Sequence, residues 1–548
     1  MTASKASSAN GTFGINQARR VLFIVVCAHF ALLLTIGLFR HWGYMTSLND
    51  LGFFDQAVWG TLHGQWFLDT NNVFGQPINW LSCHFNPFLL LFVPLYSIWP
   101  VAEWFIVAQA FALSVAALPI FLLASRVHGS ERTGLLWALI YLFNPFLLGA
   151  AAWDFHPVTI AVPFIATALL AVEKKNFRLL MFCCFWLLLL QEQFGITVAC
   201  FGALWWFRQG DWKGSFLLVS IGLLHTILVL GFIMPTLSPS GIHSMIVDPG
   251  AKDSRYGWLG GSLSEIVGNI AFHPIRMLHT MITVHGTIRY IVFLSLPLLG
   301  LFLAAPFWLL PAIADFLANT LSANPMPRAI TSYHSVTLVP ILTVSAVYGA
   351  KRIATLFAKS FSVPITNWIL LATAVLGYEL APLPLPGAIN FWRPVQWVQV
   401  PDPALKQVRA LVADRASLSV QANVGAHFSQ RQQIFRYPFK VGEADAIVLR
   451  LDSPTLNIIP HNRQGIGTLA HHLQMNPAEY LASVDCLLQD PVYGVILWND
   501  PWLVVLRGPK IAGADGLIRN RLAHLRNSWQ ITSGEYGAAL QECRNKLQ

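Results

Sequence analysis

The chain has 548 residues, of which 55% are hydrophobic and only 11% charged, with 20 Trp, 37 Phe and a formal charge of +9. Soluble domains carry roughly a quarter charged residues, so this composition excludes an ordinary soluble enzyme and describes a polytopic membrane protein. The basic excess falls in short loops between apolar runs and in the C-terminal third, which makes it a topology signal. The bilayer is therefore an expected partner and nucleic acid is not.

Arg19 and Arg20 precede an uncharged run, Val21 to Phe39, that at about 1.5 Å per residue just crosses a hydrocarbon core. Basic flanks stay on the cytoplasmic side, so residues 1–19 form a cytoplasmic tail and the following loop, 40–100, reaches the outer face. There the segment Asn49-Asp50-Leu51-Gly52-Phe53-Phe54-Asp55-Gln56 brings two carboxylates. Phe53, Phe54, Ala57, Val58, Thr61 and Leu62 recur at helical spacing, which predicts an amphipathic helix over 50–62 on the outer leaflet, with Asp50 as its N-cap. Five residues turn a helix by about 140°, so Asp50 and Asp55 cannot share a face. One faces a site while the other serves the scaffold, and Asp55 is expected as a surface or hinge carboxylate. Residues 86–99 are apolar but short and broken by Pro87 and Pro94, as in an interfacial or re-entrant helix.

Further spans are predicted near 101–125, 134–150, 157–172, 178–191, 193–207, 214–234, 289–304, 306–321, 335–350 and 364–380, about eleven with the first. Arg126 and Arg132, then Lys174, Lys175 and Arg178, then Arg208 and Lys213, then Lys351, Arg352 and Lys359 fall in the loops that alternation assigns to the inside. The fold class is thus a polytopic α-helical membrane protein, with a transmembrane domain over 20–380.

Several polar groups stand where hydrocarbon makes them costly. Asp154-Phe155-His156-Pro157 opens a span; Asp154 and His156 either converge on a divalent metal or a phosphate, or cap the helix before Pro157. That metal ion is the one cofactor the sequence suggests. His84-Phe85-Asn86-Pro87 carries the same two readings. Glu192, between Gln191 and Gln193, separates two apolar runs and calls for a wet cavity or a partner such as His or Arg. Tyr333 and His334 at an outer span end bind a phosphate or join an aromatic belt. Arg255 lies in the long outer loop 235–288, against the inside bias, where an anionic lipid headgroup would need a cation.

Beyond a Pro-rich joint (Pro382, Pro384, Pro386), residues 381–548 have ordinary charge density. Strands are predicted at 416–420, 446–451, 493–497 and 502–506 and helices at 467–473 and 477–488, making an α/β domain that odd span parity places outside. Cys486 and Cys543 could pair there. No P-loop, dinucleotide-binding glycine pattern, nucleophile elbow or HExxH motif occurs, so ATP-driven transport and zinc proteolysis lose their usual sequence support.

The stretches DLGFFDQAVW, CHFNPFLLLFVPLY, WDFHPVTIAVPF, EKKNFR, QEQFG, SVQANVGAHFSQRQQIFRYP and ADAIVLRLDS resemble a bacterial and archaeal family of predicted membrane proteins of unknown function. By plan that family is similar to the GT-C glycosyltransferases, multi-span enzymes of the cytoplasmic (inner) membrane that use polyprenyl-phosphate-linked sugars and carry an acid in the first outer loop. The resemblance implies inverting transfer to a glycan, lipid or protein acceptor, with Asp50 as the catalytic base; Asp55 and Glu192 are the other candidate catalytic carboxylates of the residue reading. His84, His156, Tyr333, His334 and Arg255 would bind substrate, and Asp154 with His156 would hold a metal or the donor phosphate. The competing reading is a multi-span transporter or lipid flippase.

Overall fold

The computed structural model describes residues 9–72, 75–241, 255–356, 363–380, 398–412, 417–452, 463–508 and 513–547. The chain forms two compact units. The first comprises Met1–Gly37, Leu81–Phe88 and Phe105–Trp392, and the second Leu38–Trp80, Leu89–Trp104 and Arg393–Gln548.

The first unit is helical. Among the described residues, Gln17–Trp42, Glu103–His128 and Trp212–Leu237 are long and apolar enough to cross a membrane. Two bent pairs, Glu131–Leu142 with Pro145–Ala151 (51°) and Pro274–Thr283 with Thr287–Leu298 (66°), raise the number to five if each is one span. Other stretches expected as spans are shorter helices, Pro157–Glu173, Phe177–Leu188 and Phe194–Gln209. The expected pair 289–304 and 306–321 is not two straight helices. After Thr287–Ser295 the chain continues in 3₁₀ segments at Leu296–Leu298, Leu301–Ala304 and Pro306–Ala312 before the helix Ile313–Leu321. Pro297, Pro306 and Pro311 lack the amide donors that continuous α-helix requires, so the backbone tightens there.

Small residues let two of these helices meet closely. A Cβ on Gly222, in the helix Trp212–Leu228, would strike the carbonyl oxygen of Gly195, in Phe194–Gln209, as at close-packed interfaces in lipid. Basic residues of two loops predicted on one side converge on an acid beside a third: Arg126 and Arg208 lie 3.4 and 3.6 Å from the Glu173 carboxylate, which also accepts from the Tyr348 hydroxyl.

The second unit holds a mixed sheet of β3 (Leu418–Val420), β4 (Ile434–Arg436), β5 (Ala446–Arg450), β6 (Tyr493–Asn499) and β7 (Trp502–Arg507), in the order β4-β3-β5-β7-β6. β3 runs parallel to β4 and β5, whereas β7 runs antiparallel to β5 and β6. Strand periodicity sends alternate side chains to opposite faces. Ile447, Leu449, Leu503 and Val505 pack with Tyr480, Leu481 and Ile518 of the helices Pro477–Gln489 and Ala514–Ser528. Ala446, Val448, Trp502 and Val504 pack on the other face with Tyr44 and Leu48. Cys486 and Cys543 form a disulfide between Pro477–Gln489 and Ser533–Leu547. The Pro382–Pro386 joint lies outside the described residues.

The segment after Trp42 is thus built into this unit. The Leu48 amide donates to the Ala422 carbonyl (2.8 Å) and Asn423 Nδ2 to the Tyr44 carbonyl (2.9 Å). The helix Phe53–Leu62 buries Asp55, Gln56 and Gly60 together with Phe54, Ala57 and Val58, which corrects the expected one-faced amphipathic helix.

A short antiparallel pair, β1 (Leu68–Asp69) with β2 (Ile78–Asn79), follows. Asp69 is buried, and its carboxylate accepts from the Asn71 amide (2.9 Å). Burial outweighs that bond and pushes the carboxyl up to about 7. A raised carboxyl binds its proton more tightly in the folded state, so its stabilising contribution is complete below pH 4 and is lost as pH rises towards 7. The loss amounts to about 4 kcal/mol at most. Melting curves of the wild type and Asp69→Asn across this window should show the variant losing less stability; parallel curves would contradict the assignment.

Candidate functional site

Each unit holds candidate site residues of its own. In the second unit, Asp50 belongs to a π-helical turn, Leu48–Gly52, whose N-cap is Ser47: its side chain accepts from the Asn49 amide (3.1 Å). Capping therefore falls to Ser47, correcting the expectation for Asp50, because a hydroxyl one turn earlier meets the open amides first. Asp50 is half-buried, and its neighbour Asn49 joins a polar network. Asn71 Nδ2 donates to Asn49 Oδ1 (2.7 Å), and Asn49 Nδ2 reaches Gln474 Oε1 (3.4 Å). His471 is lowered by burial, with the Asp50 charge opposing the shift and Arg40 adding to it. His472 is pushed down to about 3 by burial, Arg40 and His471.

Asp55 points elsewhere, into the interior of the same unit. It is 1% exposed, where a surface or hinge position was expected. Oδ1 accepts from Tyr96 Oη (2.6 Å) and Gln430 Nε2 (3.0 Å), and Oδ2 from Ser429 Oγ (2.6 Å). Burial raises its carboxyl above the ordinary range, while the bonds from Ser429, Tyr96 and Gln430 pull it down. Both oxygens are occupied, which suits a positioning role better than proton abstraction.

In the first unit, a cavity of about 260 Å³ gathers His84, Glu192, Arg255, Tyr333 and His334, with Val158, Leu230 and Ile266 as an apolar wall. Glu192 sits in the turn between Phe177–Leu188 and Phe194–Gln209. Its Oε1 meets His84 Nδ1 at 2.9 Å and its Oε2 accepts from the Phe85 amide at 3.0 Å, so the costly buried acid has found partners. Asp315 also lines this cavity and accepts from the Thr337 hydroxyl (2.6 Å). Across the cavity Arg255 Nη1 lies 3.0 Å from His334 Nε2, and Ser332 Oγ lies 2.6 Å from His334 Nδ1. Burial, then Arg255, His156 and His84, hold His334 well below its ordinary value, so the ring is neutral. A neutral imidazole accepting from Arg255 carries its proton on Nδ1 and donates to Ser332.

His156 stacks on Tyr333 (ring centroids 3.4 Å apart), which stacks in turn on His334 (4.0 Å). His156 Nδ1 also lies 3.1 Å from the main-chain oxygen of Asp154, an arrangement that engages the imidazole without a metal. Among the described residues no group of three or more His, Cys, Asp or Glu could hold a metal ion. Asp154 and His156 thus have no third such ligand beside them among the described residues, fewer protein ligands than a resident metal centre needs.

The sequence reading missed Asp315, Glu103, Arg409, His427, Ser429 and Gln430. The signals were an acid opening the 101–125 run, another inside 306–321, and the dense polar string Gly425 to Gln433, which strand reasoning passed over.

Apolar helices of membrane-crossing length combined with buried, paired ionisable residues define a polytopic membrane protein with a mixed α/β unit. Residues 40–465 match the family described as predicted membrane protein (DUF2079), and the chain belongs to that family. No curated protein matches it. Among solved structures it is similar to ArnT from Cupriavidus metallidurans bound to undecaprenyl phosphate: 11% identity, 92% of this chain and 100% of that one covered, TM-score 0.46. Apo ArnT gives 12% identity, 90% and 100% coverage and a TM-score of 0.47.

Proposed function

We propose that the protein is an inverting glycosyltransferase of the GT-C type, moving a sugar from a polyprenyl-phosphate carrier to an acceptor at the outer face of the cytoplasmic membrane. The observation that carries this reading is the amphiphilic first-unit cavity. Its carboxylates are engaged, Glu192 by His84 and the Phe85 amide and Asp315 by Thr337. Arg255 donates to a neutral imidazole and, among the described residues, pairs with no carboxylate. A guanidinium left over beside an apolar wall suits a phosphate that arrives on a hydrocarbon chain. Asp50 acts as general base on the acceptor hydroxyl, a role assigned by its place in the first loop after the first span. One base suffices for a single inverting displacement; the part proposed for Arg255 is to bind the carrier phosphate in the first-unit cavity.

Arg255→Ala should weaken binding of a polyprenyl phosphate to the purified full-length protein by about tenfold or more, the loss of one charge-assisted contact. Unchanged binding would remove the phosphate from this cavity. A lipid flippase would draw on the same amphiphilic cavity; it differs in that Asp50→Asn would leave lipid movement intact.

A further inference from the structure

The second unit contains a separate cavity of about 210 Å³, lined by Asp55, Glu103, Arg409, Arg431, His41 and Gln430 among others. It lies below the roughly 300–1,000 Å³ usual for drug-sized ligands, so its occupant is small. Two carboxyl groups and two guanidinium groups line it, so neither kind of ionisable group outnumbers the other.

Its polar groups are not all satisfied. Gln430 Nε2 bridges Asp55 Oδ1 (3.0 Å) and the Pro100 carbonyl (3.1 Å), while among the described residues its Oε1 accepts nothing. The Glu103 carboxylate makes no hydrogen bond or ion pair among the described residues. Arg409 spends Nε on the His427 carbonyl (2.9 Å), leaving its terminal nitrogens without a protein acceptor there. His41 binds Thr46 through Nδ1 (2.9 Å) and stacks on His427 (4.0 Å), with Nε2 unbonded among the described residues. Acceptors and donors thus alternate around one small volume. Hydroxyl groups, which both give and accept hydrogen bonds, satisfy such a mixed set as no apolar ligand or simple ion can.

We propose that this cavity binds a neutral, polyhydroxylated ligand of monosaccharide size, a pyranose residue of a free or glycan-linked sugar. The site stands independently of the transferase reading, since a sugar-binding unit could equally serve a protein that catalyses nothing.

The test uses the full-length protein in nanodiscs, titrated with D-glucose, D-galactose, D-mannose and inorganic phosphate by calorimetry and saturation-transfer NMR. At least one hexose should bind saturably in the millimolar range, undisturbed by phosphate. Glu103→Gln and Arg409→Gln should each weaken it about tenfold, as expected for a hydrogen bond to a charged group. Arg409 lies towards the outside of the unit, so its variant keeps the test open if Glu103→Gln does not fold. Arg255→Ala should retain hexose binding even where polyprenyl phosphate binding is lost, which separates the two sites. Binding of none of the three hexoses, displacement of the hexose by phosphate, or hexose affinity unchanged in the folded variants would each overturn the assignment.

Discussion

Replacing Asp50 by Asn is expected to lower sugar transfer by about 10²–10⁴-fold, the usual contribution of a positioned general base, while the protein stays folded. Asn keeps the volume of the side chain and much of its hydrogen-bonding capacity but cannot take the acceptor's proton. The backbone should tolerate the change because Ser47, not Asp50, caps the turn. The neighbouring Asn49–Asn71 and Asn49–Gln474 contacts do not pass through the Asp50 side chain. Rates of label transfer from a polyprenyl-phosphate sugar in isolated membranes provide the measurement. A rate within a few fold of wild type would take Asp50 out of the chemistry.

The second large effect concerns stability. Asp55→Ala should cost about 3–5 kcal/mol, because it strips the acceptor from three donors at once. Tyr96 Oη, Ser429 Oγ and Gln430 Nε2 come from distant parts of the second unit and converge on a carboxylate that is 1% exposed. Losing the shared carboxylate costs these donors their charged acceptor, in part offset for Ser429 Oγ and Gln430 Nε2 by the Ala426 (3.2 Å) and Pro100 (3.1 Å) carbonyls. Asp55→Asn should lose much less, since the amide oxygen still accepts and the charge it removes is one that burial already disfavours. Denaturant unfolding of the purified protein would show this order. An Asp55→Ala protein within about 1 kcal/mol of wild type would contradict the network described.

These two acids show what could be read in the chain and what could not. Their separation on a helix follows from five residues of rotation, and they do face different neighbours: the His471 side for Asp50, and Tyr96 and Ser429 for Asp55. The burial of Asp55 was not legible, because its partner Ser429 lies 374 positions away and the polar string that contains it carries no strand or helix periodicity. Glu192 was recognisable as an acid in need of a partner from its apolar flanks alone, yet nothing local singles out His84, 108 positions earlier.

Strands β5, β6 and β7 were readable because apolar runs bounded by turn residues have few other uses, whereas three-residue β4 was too short to stand out. The 289–321 region looked like two spans because hydropathy does not register a missing amide. Its prolines decide the backbone, and they do so through hydrogen bonding. Loop 40–100 looked like a membrane-surface element since Phe53, Phe54 and Val58 are apolar. The sheet face formed by Val420, Val448 and Val504, onto which Tyr44 and Leu48 pack, is more than three hundred residues further along the chain.

The central claim is that this protein consumes a lipid-linked sugar with Asp50 as the base. Mass spectrometry of the polyprenyl-linked sugar pool in membranes tests it most directly, comparing cells that lack the protein, carry the wild type or carry Asp50→Asn. One polyprenyl-phosphate sugar should accumulate in the first and third and fall in the second; identical pools in all three would contradict the account.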